Sequence, residues 1–194
     1  MKSLFRFAPI LSIIILFFLF SGCVNIVQKT KINQDGSGTM KIKYWTKSYN
    51  VMGDELAGFG FSSRKVKVNY TSEFTVPSNI NIEKDQTIDS LYIVTLDVKF
   101  SDFSKITEAI AFEKTNAGWE KNSDVINFRY KLAQDTANSK PLGMDEYKLS
   151  YEFEFPNEII STNGEKEGRK VTWNFTVADL KDDIDFTATI KSGN

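Results

Sequence analysis

The sequence predicts an α+β fold in which a predominantly antiparallel β-sheet is packed by one or two short helices. Three observations carry this expectation. Seven segments alternate apolar and polar residues with a period of two. A glycine-rich turn, Asp35-Gly36-Ser37-Gly38, joins the first two extended segments. Helical spacing is confined to one well-capped stretch and one glycine-rich stretch. An all-β sandwich is the alternative architecture.

The elements follow in chain order. Val24–Ile32 and Thr39–Trp45 flank the Asp-Gly turn, where glycine accepts positive φ without steric cost. In the second, Met40, Ile42 and Tyr44 share a face opposite Lys41, Lys43 and Trp45. A short helix is expected near Gly53–Phe59. Val66, Val68 and Tyr70 alternate with Lys65, Lys67 and Asn69, which reads as a strand. Tyr92, Val94, Leu96, Val98 and Phe100 form the next apolar face. Ser101–Phe112 is the best helix candidate. Ser101 can cap it, Asp102 suits its positive end, and Phe103, Ile106 and Ile110 make one stripe. This helix is expected to cover the apolar face of the sheet.

Beyond it, Ile126, Phe128, Tyr130 and Leu132 alternate with polar residues. So do Tyr147, Leu149, Tyr151, Phe153 and Phe155; then Val171, Trp173, Phe175 and Val177; and finally Ile184, Phe186, Ala188 and Ile190. Asn163-Gly164 and Gly168 mark turns before Val171. The polar connection Ala133–Glu146 reads as an exposed loop inside one domain.

Composition narrows the chemistry. The chain has 194 residues, no histidine and one cysteine. A Ser-His-Asp triad, a Cys-His dyad, a histidine zinc site and an internal disulfide are therefore excluded. With 24 basic and 25 acidic residues, it lacks the strong positive charge of a nucleic-acid binder.

The N-terminus reads as a secretory signal over residues 1–22. Lys2 and Arg6 precede the 13-residue apolar run Ala8–Phe20, too short for a comfortable bilayer span of about 20 residues. Phe20-Ser21-Gly22-Cys23 resembles the lipobox of bacterial lipoproteins. That resemblance implies that Cys23 becomes the first mature residue and carries lipid through its sulfur. The mature domain, residues 23–194, then has a net charge near −3, because Lys2 and Arg6 leave with the signal. Val24 follows Cys23 where an acidic residue would favour inner-membrane retention in Gram-negative sorting. The expected location is therefore a bacterial membrane, facing the periplasm, with the outer membrane favoured.

Candidate sites are few. Gly53–Phe61 is apolar and glycine-rich, and Leu56, Phe59 and Phe61 are expected ligand contacts in a mobile flap. Trp45, on the polar side of its strand, joins them. Such contacts suit an apolar cleft between sheet and helix. Asp179, Asp182, Asp183 and Asp185 lack calcium-loop spacing and read as a solvated turn. Glu152 and Glu154 project the same way from one strand, a spacing also found on any wet sheet face. The sequence therefore predicts no enzyme, no cofactor and no metal site.

The segment Tyr151–Phe175 resembles the LppM-type domain of bacterial lipoproteins. The pattern is carried by Phe155-Pro156, Ile159-Ile160, Asn163-Gly164, Gly168 and Val171-Thr172-Trp173. Asp35-Gly36-Ser37-Gly38, soon after Cys23, is also similar. The resemblance implies an envelope lipoprotein whose α+β domain interacts with lipids or glycolipids, and it transfers no catalytic residue. It also implies a membrane held through lipidated Cys23 as partner. A structural or assembly role with another envelope protein is the alternative.

Overall fold

The structure is a computed structural model that describes residues 24–51, 53–56, 58–85, 90–133 and 146–193. The expected signal at 1–22, the Cys23 attachment point and most of the 133–146 connection lie outside the described residues.

Six of the seven alternating segments form strands as expected. β1 (Asn25–Ile32) and β2 (Gly38–Lys47) make an antiparallel hairpin. Its turn is held by Asp35, whose carboxylate accepts from the Ser37 hydroxyl at 2.7 Å and the Ser37 amide at 3.0 Å. Those two bonds lower the Asp35 carboxyl pKa. Gly36 supplies the positive φ of 85°. The chain continues through β3 (Glu55–Leu56), β4 (Phe59–Gly60), α1 (Ser63–Tyr70), β5 (Thr75–Asp85) and β6 (Leu91–Phe100). Next come β7 (Thr115–Lys121), β8 (Val125–Leu132), β9 (Lys148–Glu154) and β10 (Ile159–Thr162). β11 (Glu165–Glu167), β12 (Lys170–Thr176) and β13 (Ile184–Lys191) complete it.

The strands build a seven-stranded sheet, β11-β12-β9-β1-β2-β6-β5, and a four-stranded sheet, β10-β13-β8-β7. Pairing is antiparallel except where β1 runs parallel to β9, with Ile26 beside Leu149. This is the predicted α+β class, although much of the large sheet's apolar face is buried by the second sheet. Across that interface Phe128 meets Phe153 at 4.8 Å and Trp173 meets Phe186 at 4.9 Å between ring centroids. β3, β4, α1 and the 103–112 segment cover the remainder.

Three local expectations are corrected. Residues 65–70 are α-helical, not extended. Ser62 caps α1 by accepting from the Lys65 amide at 3.2 Å. Val66 and Tyr70, one turn apart, are buried, whereas Val68 is 53% exposed. The Gly53–Phe59 region is the β3–β4 hairpin, not a helix. Ser101–Phe112 is not one α-helix but two 3-10 segments, Phe103–Glu108 and Ile110–Phe112. Ala109, with φ −84° and ψ 138°, interrupts them. The cap is Asp102, which accepts from the Ser104 amide at 2.8 Å. Phe103 and Ile106 still enter the core, but the break turns Ile110 outward.

Candidate functional site

The expected ligand contacts separate into two places. Leu56 and Phe61 are buried, and Phe59 packs against the core. Phe59 and Phe61 lie over Tyr44, with ring centroids 5.1 and 5.5 Å away. Tyr44 donates its phenol hydrogen to the Gly60 carbonyl, tying the hairpin to the large sheet. The region expected to form an apolar cleft is thus occupied by these side chains, with Tyr70 and Phe112 in edge contact nearby. Trp45 lies on the opposite face of β2 and meets none of them; Lys43 Nζ sits 5.5 Å from its ring centroid.

The acidic residues are dispersed among local tasks. Asp179 accepts from the Thr176 amide and hydroxyl at 2.8 and 2.9 Å in a capping box. Asp183 pairs with Lys131 and Asp185 with Arg129. Glu152 lies 3.7 Å from Lys29 and 3.3 Å from Lys170, and Glu154 lies 3.7 Å from Lys31.

The Asn-Gly…Val-x-Trp pattern is one physical unit. Asn163 Oδ1 accepts from the Trp173 indole at 2.9 Å and the Thr187 amide at 3.0 Å, and its Nδ2 donates to the Asp185 carbonyl at 2.7 Å. One amide side chain thereby links both sheets. A Cβ on Gly164 would fall 2.5 Å from Trp173 and Val171, so only glycine fits beside this indole.

That linkage leaves a groove of about 820 Å³ at the four-stranded sheet. Cross-strand register aligns its polar side chains in rows. Glu120, Asn127, Thr189 and Ser161 form one row; Gly118, Arg129 and Thr187 form the next. The intervening Phe128 and Ala188 point into the core. Arg129 Nε donates to Asp185 at 2.8 Å, which raises the guanidinium pKa and leaves other guanidinium N–H donors for a ligand. Trp119 also lines the groove and stacks on Phe155 with an interplanar angle of 11°. Its indole N–H is buried without a hydrogen-bond partner among the described residues. Hydroxyls, amides and a guanidinium arranged this way suit recognition of a polyhydroxylated or anionic polar group.

Sequence reading missed this groove. Asn127, Arg129, Thr187 and Thr189 were visible as polar alternates of two strands. Their convergence depends on pairing between strands more than 50 residues apart, as Thr187 with Arg129 shows. The available signal was chemical: hydroxyl and amide residues take wet positions that charged residues commonly fill.

No curated protein matches the chain. A solved structure, the NMR structure of the folded domain of LppM from Mycobacterium tuberculosis, matches with a TM-score of 0.51 and 11% identity. That match covers 92% of this chain and 95% of the other, and it shows a shared fold. The family model of the LppM domain matches residues 32–191. The span includes the turn at 35–38, the Asn163–Trp173 unit and every strand from β2 to β13, so the chain belongs to the LppM domain family.

Proposed function

We propose that this protein is a membrane-anchored lipoprotein of the bacterial envelope and a non-catalytic binding module for glycolipid. Residues 1–22 act as its signal peptide, and residues 23–194 form one extracytoplasmic domain tethered through lipid on Cys23. The observation that carries the ligand class is the polar groove of the four-stranded sheet. Its volume falls within the range of about 300–1,000 Å³ found for ligand sites. Its hydroxyl, amide and guanidinium groups match a sugar-bearing head, while the packed aromatic core leaves the acyl chains to the membrane. Family membership agrees with an envelope lipoprotein.

The alternative, an assembly role through strand addition, has weaker support at the β5 edge. Pro77 and the register shift between Ser78 and Asn81 interrupt the regular ladder that an added strand would need.

Gly118 permits a clean test. A Cβ there meets only Arg129, at 3.7 Å or more, so a larger side chain enters the groove without striking the fold. The full chain is extracted from membranes and examined by native mass spectrometry beside a delipidated control. Glycolipid is expected on the wild type and not on folded Gly118→Phe. Equal retention by both, or no bound glycolipid on either, rejects the groove as its site.

A further inference from the structure

We propose that the groove of the four-stranded sheet selects an uncharged sugar over a phosphorylated one, and that Glu120 sets this choice. The inference rests on the glycolipid reading of the groove and narrows its ligand class.

Strand register fixes which charges this face carries. Outward positions alternate with core positions along each strand. β8 presents Asn127, Arg129 and Lys131 outward, and β13 presents Asp185, Thr187, Thr189 and Lys191. Every cation in these two rows has its own acid. Arg129 Nε lies 2.8 Å from Asp185, Lys131 pairs with Asp183, and Lys191 pairs with Glu158. β7 adds Glu120, opposite Asn127. Glu120 is exposed and has no such partner among the described residues. Lys121, its neighbour in sequence, takes the alternate position opposite Ile126.

Arg129 and Glu120 are the charged residues that line the groove. Arg129 supplies one positive charge, and Asp185 answers it at 2.8 Å. Glu120 then leaves the groove with one negative charge. A phosphate monoester carries about −1.5 to −2 charge at pH 7. It would meet a carboxylate of the same sign and a guanidinium whose charge is already balanced.

The hydrogen-bonding groups lead to the same choice. An ionised carboxylate only accepts, so Glu120 needs a guest that donates, and a sugar hydroxyl does. The hydroxyls of Thr189 and Ser161 and the amide of Asn127 both donate and accept, as sugar hydroxyls require. The N–H donors of Arg129 not used by Asp185 serve a sugar oxygen without any need for negative charge. Glu120, Asn127, Thr189 and Ser161 stand side by side on four adjacent strands. At about 4.8 Å between strands the row spans about 14 Å, room for more than one sugar ring.

The test uses the full chain in a polyoxyethylene ether detergent, which carries no sugar to compete. The probes are diglucosyldiacylglycerol and the same lipid with a phosphate monoester on its outer glucose. Native mass spectrometry reads the fraction of protein that retains each. Wild type is expected to retain the neutral lipid severalfold better. Folded Glu120→Gln should narrow that gap severalfold. Folded Asp185→Asn should narrow it too, because it bares the Arg129 charge while keeping the backbone carbonyl that Asn163 uses. Glu73→Gln, which removes the same charge from the exposed turn between α1 and β5, should leave the gap unchanged. Equal or better retention of the phosphorylated lipid by wild type overturns the proposal; if Gly118→Phe still blocks both lipids, the glycolipid reading stands without it. A gap untouched by Glu120→Gln, or narrowed equally by Glu73→Gln, also overturns it. Retention of neither lipid by wild type overturns the glycolipid reading and this inference together.

Discussion

Alkaline pH should unfold this protein through its buried tyrosines. Tyr44, Tyr70, Tyr130 and Tyr151 are all buried. Desolvation raises each phenol pKa above its ordinary value, because a phenolate has no water to solvate it inside the core. A raised folded pKa means that the stabilising contribution is fully present below the unfolded value of about 10 and is lost as pH climbs above it. In that window the unfolded state has released protons that the folded state retains. Each phenol then removes about 1.4 kcal/mol per pH unit, and four together remove about 5.5. A domain stable by about 5–15 kcal/mol should therefore unfold between about pH 11 and 13. The assay follows phenolate absorbance and far-UV circular dichroism on the same samples. Buried phenols should ionise only as the sheet signal disappears, in one cooperative step. Tyr151→Phe should reduce the slope of stability against pH by about 1.4 kcal/mol per unit, or a quarter. Smooth ionisation of every phenol with the sheet intact would refute the reasoning.

Three further outcomes can be checked by urea denaturation of the full chain, followed by tryptophan fluorescence. Val66→Ala should cost about 1–2 kcal/mol and Val68→Ala close to nothing, since only Val66 enters the core and alanine favours a helix; equal losses would instead support a strand here. Trp173→Phe should cost about 1 kcal/mol more than Trp119→Phe, because it breaks the bond to Asn163 whereas Trp119 Nε1 has no partner to lose; a reversed order contradicts the hydrogen-bond assignment. Gly38→Ala should lose about 3 kcal/mol or more, since its Cβ would lie 2.1 Å from the Lys31 carbonyl and 2.4 Å from Phe100. Gly168→Ala, in open space at φ +60°, should lose about 1–2 kcal/mol through backbone strain; similar losses at the two glycines would show that the β1–β2 approach can relax.

The strands were legible where alternation ran long. Five apolar residues alternating with four polar ones along Tyr147–Phe155 leave no helical reading of comparable quality. Val66-Lys67-Val68-Asn69-Tyr70 was too short to decide. Apolar residues at the first, third and fifth positions fit a period of two, and the first and fifth also fit one helical turn. The cap at Ser62 separates these cases, and Tyr70 against Phe112 secures the helix. At 103–112 the sequence correctly placed Phe103 and Ile106 in the core. It overestimated regularity, because contacts with both sheets fix Phe103 while Ala109 takes an extended conformation.

The candidate site was less legible. Leu56, Phe59 and Phe61 are apolar residues in a glycine-rich segment, a pattern shared by a flap and by a hairpin folded onto a core. Contact with Tyr44 places them in that cover. Trp45 stands on the polar face of its strand, and its neighbours Lys43 and Ile93 give that position physical context.

By itself the sequence determined the α+β class, most strand faces, the Asp35–Gly38 turn and the absence of histidine and disulfide chemistry. These follow from local rules: side-chain period, turn stereochemistry and the identities of the available functional groups. Tertiary structure decided the second sheet's packing, the parallel β1–β9 pair and the groove proposed to bind. Each depends on segments far apart in sequence. Ile26 meets Leu149 and Thr187 lies beside Arg129 because burying apolar faces fixes the register of whole strands. The same register that buries one face arranges the chemistry on the other.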